Sequence, residues 1–373
     1  MARELIINGR RIAQSESVFG IAEIGHNHGA DIQKAKAMVN TAKAAGASAV
    51  KFQTRHPKEV YAMQDVPGGY LYKADNLQWM DSEYGTHREK LEFSQERWEE
   101  LFKYCRGKDM IAFSTPLDFS SADQLNDLGV PAFKIASGDA TNIPLIQHVS
   151  NFNKPMIIST GGLGIEDVDR IHDTLSGHAQ FALLQCSCIY PAPDDVMNLN
   201  VISTYMERYP DVVVGLSTHN RSWQPTVAAV AMGARIFEHH YTNNKSWKGT
   251  DNHFSLDPGE MRALVDACAT VQTSLGSRTK AQDPKEASYT TERQKKLVWA
   301  RSASEKEVLT RDHFSILSPG DGVPPYKMAE LIGSSVIKDV QHGTDVVWAD
   351  TLIGYLQGGD EQAVPIGKKA DTY

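Results

Sequence analysis

Between residues 19 and 242 one kind of text recurs eight times: FGIAEIG (19–25), AVKFQTR (49–55), MIAFSTP (110–116), AFKIAS (132–137), PMIIST (155–160), FALLQCS (181–187), VVVGLST (212–218) and RIFEHHYT (235–242). Each run is short and apolar, with no regular alternation to mark a wet face, so each reads as a strand buried on both sides. Helical text lies between most of them. Asp31 caps a segment that puts Ile32, Ala35, Val39 and Ala42 on one face and stops at Gly46, while Trp98, Leu101, Phe102 and Cys105 make a second apolar stripe. After the eighth run, Asp257, Pro258 and Glu260 spell a capped helix start ahead of Met261, Leu264, Val265 and Cys268, and Gly276 closes it. Eight such units in about 255 residues predict an α/β fold of the (β/α)₈, or TIM-barrel, type; a doubly wound sheet seldom has eight evenly spaced parallel strands.

The text outside the repeats sets the domain plan. LIINGRRIA (5–13) carries the Asn8-Gly9 turn of a β-hairpin, expected across the barrel bottom, so the catalytic domain is drawn as residues 1–276. Residues 55–93 show no sustained period, and a segment that long inside a compact domain is usually functional; it is expected to form a lid. Residues 277–295, SRTKAQDPKEASYTTERQK, read as a linker. Residues 296–354, with HFSILSPGDG and SSVIKDVQHGTDV, have turn signals at the spacing of a small β-rich module, and 355–373 read as a tail.

Composition narrows the partners. Thirty-eight Lys and Arg against forty-six Asp and Glu give a net charge of −8, which argues against nucleic acid or an anionic membrane and requires a local positive site for any anionic substrate. Cys105, Cys186, Cys188 and Cys268 have no zinc-type or CxxC spacing, so a reducing cytoplasm is expected. No run of eighteen apolar residues predicts a membrane span, and no Walker or dinucleotide glycine pattern supports a nucleotide cofactor.

Barrel enzymes carry their chemistry at the C-terminal ends of the strands. Here those ends hold Glu23, Lys51, Gln53, Ser114, Thr115, Lys134, Ser137, Asp139, Ser159, Thr160, Cys188, Tyr190, Ser217, His219, Glu238 and His240. Because residues two apart on a strand face the same way, Lys51 pairs with Gln53, Ser217 with His219 and Glu238 with His240, leaving His239 toward the helices. One strand-end histidine is ordinarily a packing residue bonded to a carbonyl. Two on adjacent strands, His219 and His240, could hold one divalent cation with water and substrate oxygens in the remaining positions. Lys51 and Lys134 suit an anion bearing carboxylate and phosphate, with Thr115, Ser137, Ser159 and Ser217 as hydroxyl donors. Cys186 and Cys188 share a face and read as small packing residues.

In order along the chain, IAEIGHNH, VKFQT, FSTPLD, PAFKIASGD, KPMIISTGG, IYPAP, VGLSTH, EHHYT and GTDN resemble the signatures of the N-acetylneuraminate (sialic acid) synthases over roughly residues 18–276. The SPGDG turn resembles the antifreeze-like (SAF) domain of that family. The resemblance implies metal-dependent condensation of phosphoenolpyruvate with an open-chain N-acylated amino sugar, and a domain-swapped homodimer. It implies His219 and His240 as ligands of Mn²⁺ or Mg²⁺. Lys134, Thr115, Ser137, Ser159 and Ser217 match phosphate-holding positions; Lys51, Gln53, Tyr190, Glu238 and Asp251 match substrate-facing ones, and Glu23 the first-strand acid. Cys188 and Asp139 stand where the family usually has Asn and Glu, Thr218 where it has Asp, and Asn252 where it has His. Ser318 stands where an arginine normally meets the N-acyl group, and losing a charged donor in a buried contact is worth about 1.5 to 3 kcal/mol, enough to redirect substrate choice. Two other readings use the same text: a barrel enzyme with a phosphorylated or smaller aldehyde, and a non-catalytic sugar-binding descendant.

Overall fold

The computed structural model describes residues 3–73 and 82–356. The chain divides into two compact units, residues 1–276 and Ser277 onward. In the first, a hairpin of β1 (Glu4–Ile7) and β2 (Arg10–Ala13) precedes eight strands: β3 (Phe19–Gly25), β4 (Ala49–Thr54), β5 (Ile111–Pro116), β6 (Phe133–Ile135), β7 (Met156–Ser159), β8 (Phe181–Gln185), β9 (Val213–Thr218) and β10 (Ile236–His240). Each pairs in parallel with the next, and β10 returns to β3, so the sheet closes into a barrel. Every residue of β3, β7, β8, β9 and β10 is buried, which is why their sequences show no polar alternation.

Local chemistry places the outer helices. The Asp31 carboxylate accepts from the Gln33 and Lys34 N–H groups at the head of the helix Ile32–Ala44, and Gly46 takes the positive φ (88°) that ends it. Asp118 caps Phe119–Asp127 through Ser121 N, and Asp257 with Glu260 forms a capping box on Pro258–Leu275. Gly20 of β3 lets the sheet accept Phe237, whose ring would lie 2.4 Å from any Cβ there.

The hairpin fixes which end of the barrel is open. Asn8 and Gly9 both have positive φ, as a two-residue hairpin turn requires, and Leu5, Ile7 and Ile12 are fully buried beneath the barrel. Arg235 Nε donates to Gln14 O just after the hairpin, and Phe19 N donates to Arg235 O, at the end where β3 and β10 begin. The strand C-termini therefore make the mouth.

Several segments differ from their sequence reading. The stretch expected to be an irregular lid contains the helices Pro57–Val60 and Tyr84–Leu91, and residues 74–81 of it lie outside the described residues. The expected linker holds a helical turn at Pro284–Glu286 and the helix Ala287–Arg293, where Thr291 O accepts from Gly320 N. The expected β-rich module has one two-stranded antiparallel sheet, β11 (Lys296–Trp299) with β12 (Phe314–Leu317), and otherwise single-bridge pairings such as Ala303 with Val340. Its frequent turns leave no room for longer ladders; Leu297, Trp299, Leu309, Leu331 and Val336 form a core of its own. Of the expected tail, Tyr355 and Leu356 end the short helix Leu352–Leu356, and 357–373 lie outside the described residues. Among the described residues no helix is long and apolar enough to cross a membrane.

Candidate active site

Register builds the mouth. Glu23 on β3 lies opposite Lys51 on β4 and His240 on β10, and Glu238 on β10 lies opposite Ser217 on β9. Their side chains close a network. Lys51 Nζ lies 2.7 Å from Glu23 Oε2, donates to Thr115 Oγ1 at 2.9 Å and stands 3.8 Å from Glu238 Oε1. Gln53 Nε2 donates to Glu23 Oε1, and Ser217 Oγ to Glu238 Oε1. Lys51, Glu23 and Glu238 are each buried, so their charges act through a low dielectric.

The two acids diverge. Burial raises the Glu23 pKa above its ordinary value despite Lys51. Burial also pushes Glu238 upward, but Lys51, Lys134 and the two mouth imidazoles outweigh it and leave its pKa lowered. Two buried carboxyl groups held apart in this way suit one protonated and one ionised role.

On the opposite wall Lys134 Nζ donates to Ser159 Oγ at 2.6 Å and to Ile135 O at 2.9 Å, and burial lowers its pKa. Ser137 Oγ accepts from Gly161 N. A Cβ on Gly161 would lie 2.6 Å from Cys188 Sγ and 3.0 Å from Ser137 Oγ, so the glycine keeps this recess open. The hydrogen bond from Cys186 lowers the exposed Cys188 thiol to about 6. Asp139 is set slightly apart, at the turn after β6, where burial raises it to about 6. Ser114 turns away from the mouth to bond Thr54.

His219 and His240 converge with ring centroids 5.3 Å apart, and Tyr190 lies against His219 at 3.7 Å. His219 Nδ1 donates to Ser187 O at 2.7 Å, which leaves Nε2 with its lone pair, and burial lowers this imidazole to about 3. His240 Nδ1 is buried without a hydrogen-bond partner, 3.5 Å from Asp251 Oδ2, and Glu238 Oε2 is likewise unpartnered. His239 faces outward and bonds Thr226 at 2.8 Å. The neutral His219 imidazole with its free lone pair, the His240 ring beside it and the orphaned buried atoms are a donor set that fits a divalent cation, with water or substrate completing it.

A second group of possible ligands, His56, Glu59 and Asp118, brings three such atoms within 4.8 Å of one another on the rim. It fits less well. Both Asp118 oxygens are taken by Ser121 and the His56 N–H, and both Glu59 oxygens accept from Ser120.

A barrel with this mouth has relatives. The NeuB family model matches residues 38–280. The chain belongs to the NeuB family. Human N-acetylneuraminate-9-phosphate synthase is 33% identical over 91% of this chain and 94% of its own length. N,N'-diacetyllegionaminic acid synthase of Legionella pneumophila is 32% identical over 92% of this chain and 97% of its own. The crystal structure of N-acetylneuraminic acid (sialic acid) synthetase from Leptospira borgpetersenii, in complex with citrate, superposes with a TM-score of 0.69 at 27% identity, covering 78% of this chain and 95% of that one. This NeuB-family chain is a transferase of the sialic acid synthase type.

One NeuB-chain feature escaped the sequence reading. Arg55, Tyr61, Tyr84, Arg88, Glu92 and His26 form a polar cluster beside the mouth: Arg55 bonds Tyr61 OH at 2.7 Å and Gln53 Oε1, and His26 Nε2 bonds Glu92 Oε1 at 3.0 Å. Burial raises Glu92 to about 7 against the pull of Arg55. The available signal was Tyr84 and Arg88 four apart in otherwise aperiodic text.

Proposed function

We propose that the chain joins phosphoenolpyruvate to the aldehyde of an open-chain N-acylated amino sugar, giving a 3-deoxy-2-keto sugar acid and phosphate. The observation that carries this is the facing of two buried ammonium groups, Lys51 and Lys134, with their hydroxyl partners Thr115 and Ser159, toward an acid and imidazole wall of Glu238, His219 and His240. Lys134, Ser137, Ser159 and Ser217 hold the phosphate, and Lys51 with Gln53 holds the carboxylate of the enol substrate. Cys188 and Asp139 border that site, and Tyr190 covers the acceptor. His219 and His240, with Asp251 beside them, would hold Mn²⁺ or Mg²⁺, which supplies Lewis acidity toward the aldehyde oxygen.

The enol carbon bonds to the aldehyde carbon, and the positive charge that develops at C2 is met by water. Ionised Glu238 takes the proton from that water, while Glu23, with its raised pKa, is placed to deliver one to the new hydroxyl. The C2 hydroxyl then gives its proton to the departing phosphate as the C2–O bond to phosphate breaks and the C2 ketone forms, and the fixed ammonium groups stabilise the leaving charge. The swapped homodimer implied by the resemblance, with Ser318 facing the partner's acceptor site, is part of the same proposal. The test is mass spectrometry of products from phosphoenolpyruvate, manganese and a panel of aldoses. The expected result is a product three carbons longer than one acceptor; a panel yielding only pyruvate and phosphate would overturn it.

A further inference from the structure

Two cysteines stand just beyond the last paired residue of β8, and the condensation uses neither as a nucleophile. The ladder stops at Gln185, so Cys186, Ser187 and Cys188 lie outside the sheet. Cys188 is exposed, Cys186 is buried, and the two thiols are hydrogen-bonded to each other. A Cβ on Gly161 would lie 2.6 Å from Cys188 Sγ and 3.3 Å from Cys186 Cβ, so this glycine opens the space in which the two side chains meet. The other cysteines, Cys105 and Cys268, are fully buried within helices, and burial pushes each up to about 12.

The pair divides into an attacking and a resolving sulfur. The hydrogen bond from Cys186, with the Ser137 hydroxyl and the Lys134 charge, holds Cys188 low, so at neutral pH a thiolate faces solvent. Cys186 is pushed well up, by donating to Cys188 and by burial, and stays a thiol. An exposed thiolate beside a second thiol is the arrangement in which a sulfenic acid is captured as a disulfide before it oxidises further. Bridging across one residue requires backbone free to bend there, and Ser187 has no place in the ladder. Its carbonyl accepts from His219 Nδ1, so closing such a ring would also disturb the group that orients this imidazole.

We propose that Cys188 is an oxidation site for hydrogen peroxide, that Cys186 resolves it, and that the resulting disulfide closes the recess beside Ser137 and Gly161. The Cys188 sulfur attacks one peroxide oxygen and the O–O bond breaks, leaving a sulfenic acid and hydroxide; the hydroxide takes up the proton that Cys188 had released and becomes water. The Cys186 sulfur then attacks the Cys188 sulfur, the S–O bond breaks, and the departing hydroxide takes the Cys186 proton as a second water. Two thiols give up two electrons, and one peroxide is reduced to two waters. A small thiol reverses the bond by exchange at the exposed Cys188 sulfur. The covalent step stands apart from the condensation; its effect on phosphoenolpyruvate rests on that reading.

The test treats the full-length protein with hydrogen peroxide, unfolds it, alkylates it with iodoacetamide, and reads its mass and peptides with and without dithiothreitol. Of the four cysteines, Cys186 and Cys188 are expected to escape alkylation together and to regain it after dithiothreitol. Cys186→Ser should stop at a sulfenic acid on Cys188 that dimedone traps, and Cys188→Ser should keep every remaining thiol alkylatable at the same peroxide dose. Direct passage of wild-type Cys188 to sulfinic acid, or pairing of Cys188 between two copies, would overturn the resolving role. Full alkylation after peroxide would overturn the oxidation site itself. Phosphoenolpyruvate affinity, read by calorimetry, should fall about tenfold or more in the oxidised protein and return with dithiothreitol. Unchanged affinity with the disulfide formed would overturn the closing of the recess. If the disulfide forms in a protein whose reduced state binds no phosphoenolpyruvate, the oxidation site is supported and the condensation reading fails instead.

Discussion

The two ends of the barrel bury cationic groups in opposite ways. At the bottom, Arg235 directs its guanidinium to three backbone carbonyls, those of Gln14, Val230 and Ala234. At the mouth, Lys51 and Lys134 meet mainly hydroxyls and carboxylates, and Glu238 Oε2 and His240 Nδ1 have no hydrogen-bond partner. Both arrangements place charge in a low dielectric, yet only the first is complete in itself. A buried polar group that is satisfied by backbone holds the fold; one left incomplete in a site of perturbed acids is waiting for a ligand.

Breaking each end should therefore give different phenotypes. Lys134→Met is expected to lower kcat about a thousandfold while the thermal midpoint stays the same or rises, because the lost ammonium acts on transition-state charge and its burial opposed folding. A fall in thermal midpoint with unchanged kcat would reverse the assignment of the two ends. Paired His219→Asn and His240→Asn variants should cost about a hundredfold in rate and abolish tight manganese binding, read by metal analysis after dialysis.

The bottom should respond in stability alone. Arg235→Met removes three side-chain hydrogen bonds to backbone carbonyls, two of them buried, and should cost about 2 to 4 kcal/mol in denaturant unfolding, with kcat per folded molecule within about twofold. The smallest effect sharpens the mouth. Since the Cys186 hydrogen bond lowers the Cys188 thiol to about 6, alkylation of Cys188 should be slow below that pH and reach half its maximal rate near it. Phosphoenolpyruvate should slow it at every pH. Half-maximal alkylation above pH 8, read by peptide mass mapping, would remove Cys188 from the recess.

The barrel and its mouth could be read in the sequence for a definite reason. Strand parity is a local rule, so Glu238 and His240 sharing a face, with His239 turned to Thr226, follows from three consecutive letters. The caps at Asp31 and Asp257 are equally local. The Arg55–Tyr61–Tyr84–Arg88 cluster was not legible, because its contacts join residues from an aperiodic segment to positions such as His26, 66 residues away from Glu92. Asp118 was read only as part of FSTPLD, yet its carboxylate is a helix cap that also anchors His56. In the second unit, turn spacing indicated β structure, but pairing is made mostly of single bridges whose partners lie tens of residues apart, which spacing cannot announce.

The most direct measurement is the rate of inorganic phosphate release from phosphoenolpyruvate by metal-stripped protein, with manganese and an acceptor aldehyde added back separately and together. The mouth described here predicts release only when both are present, with one keto acid formed for each phosphate. Release with manganese alone, or no release with any aldehyde, would contradict the carbon–carbon bond-forming role assigned to Lys51, Lys134, Glu238, His219 and His240.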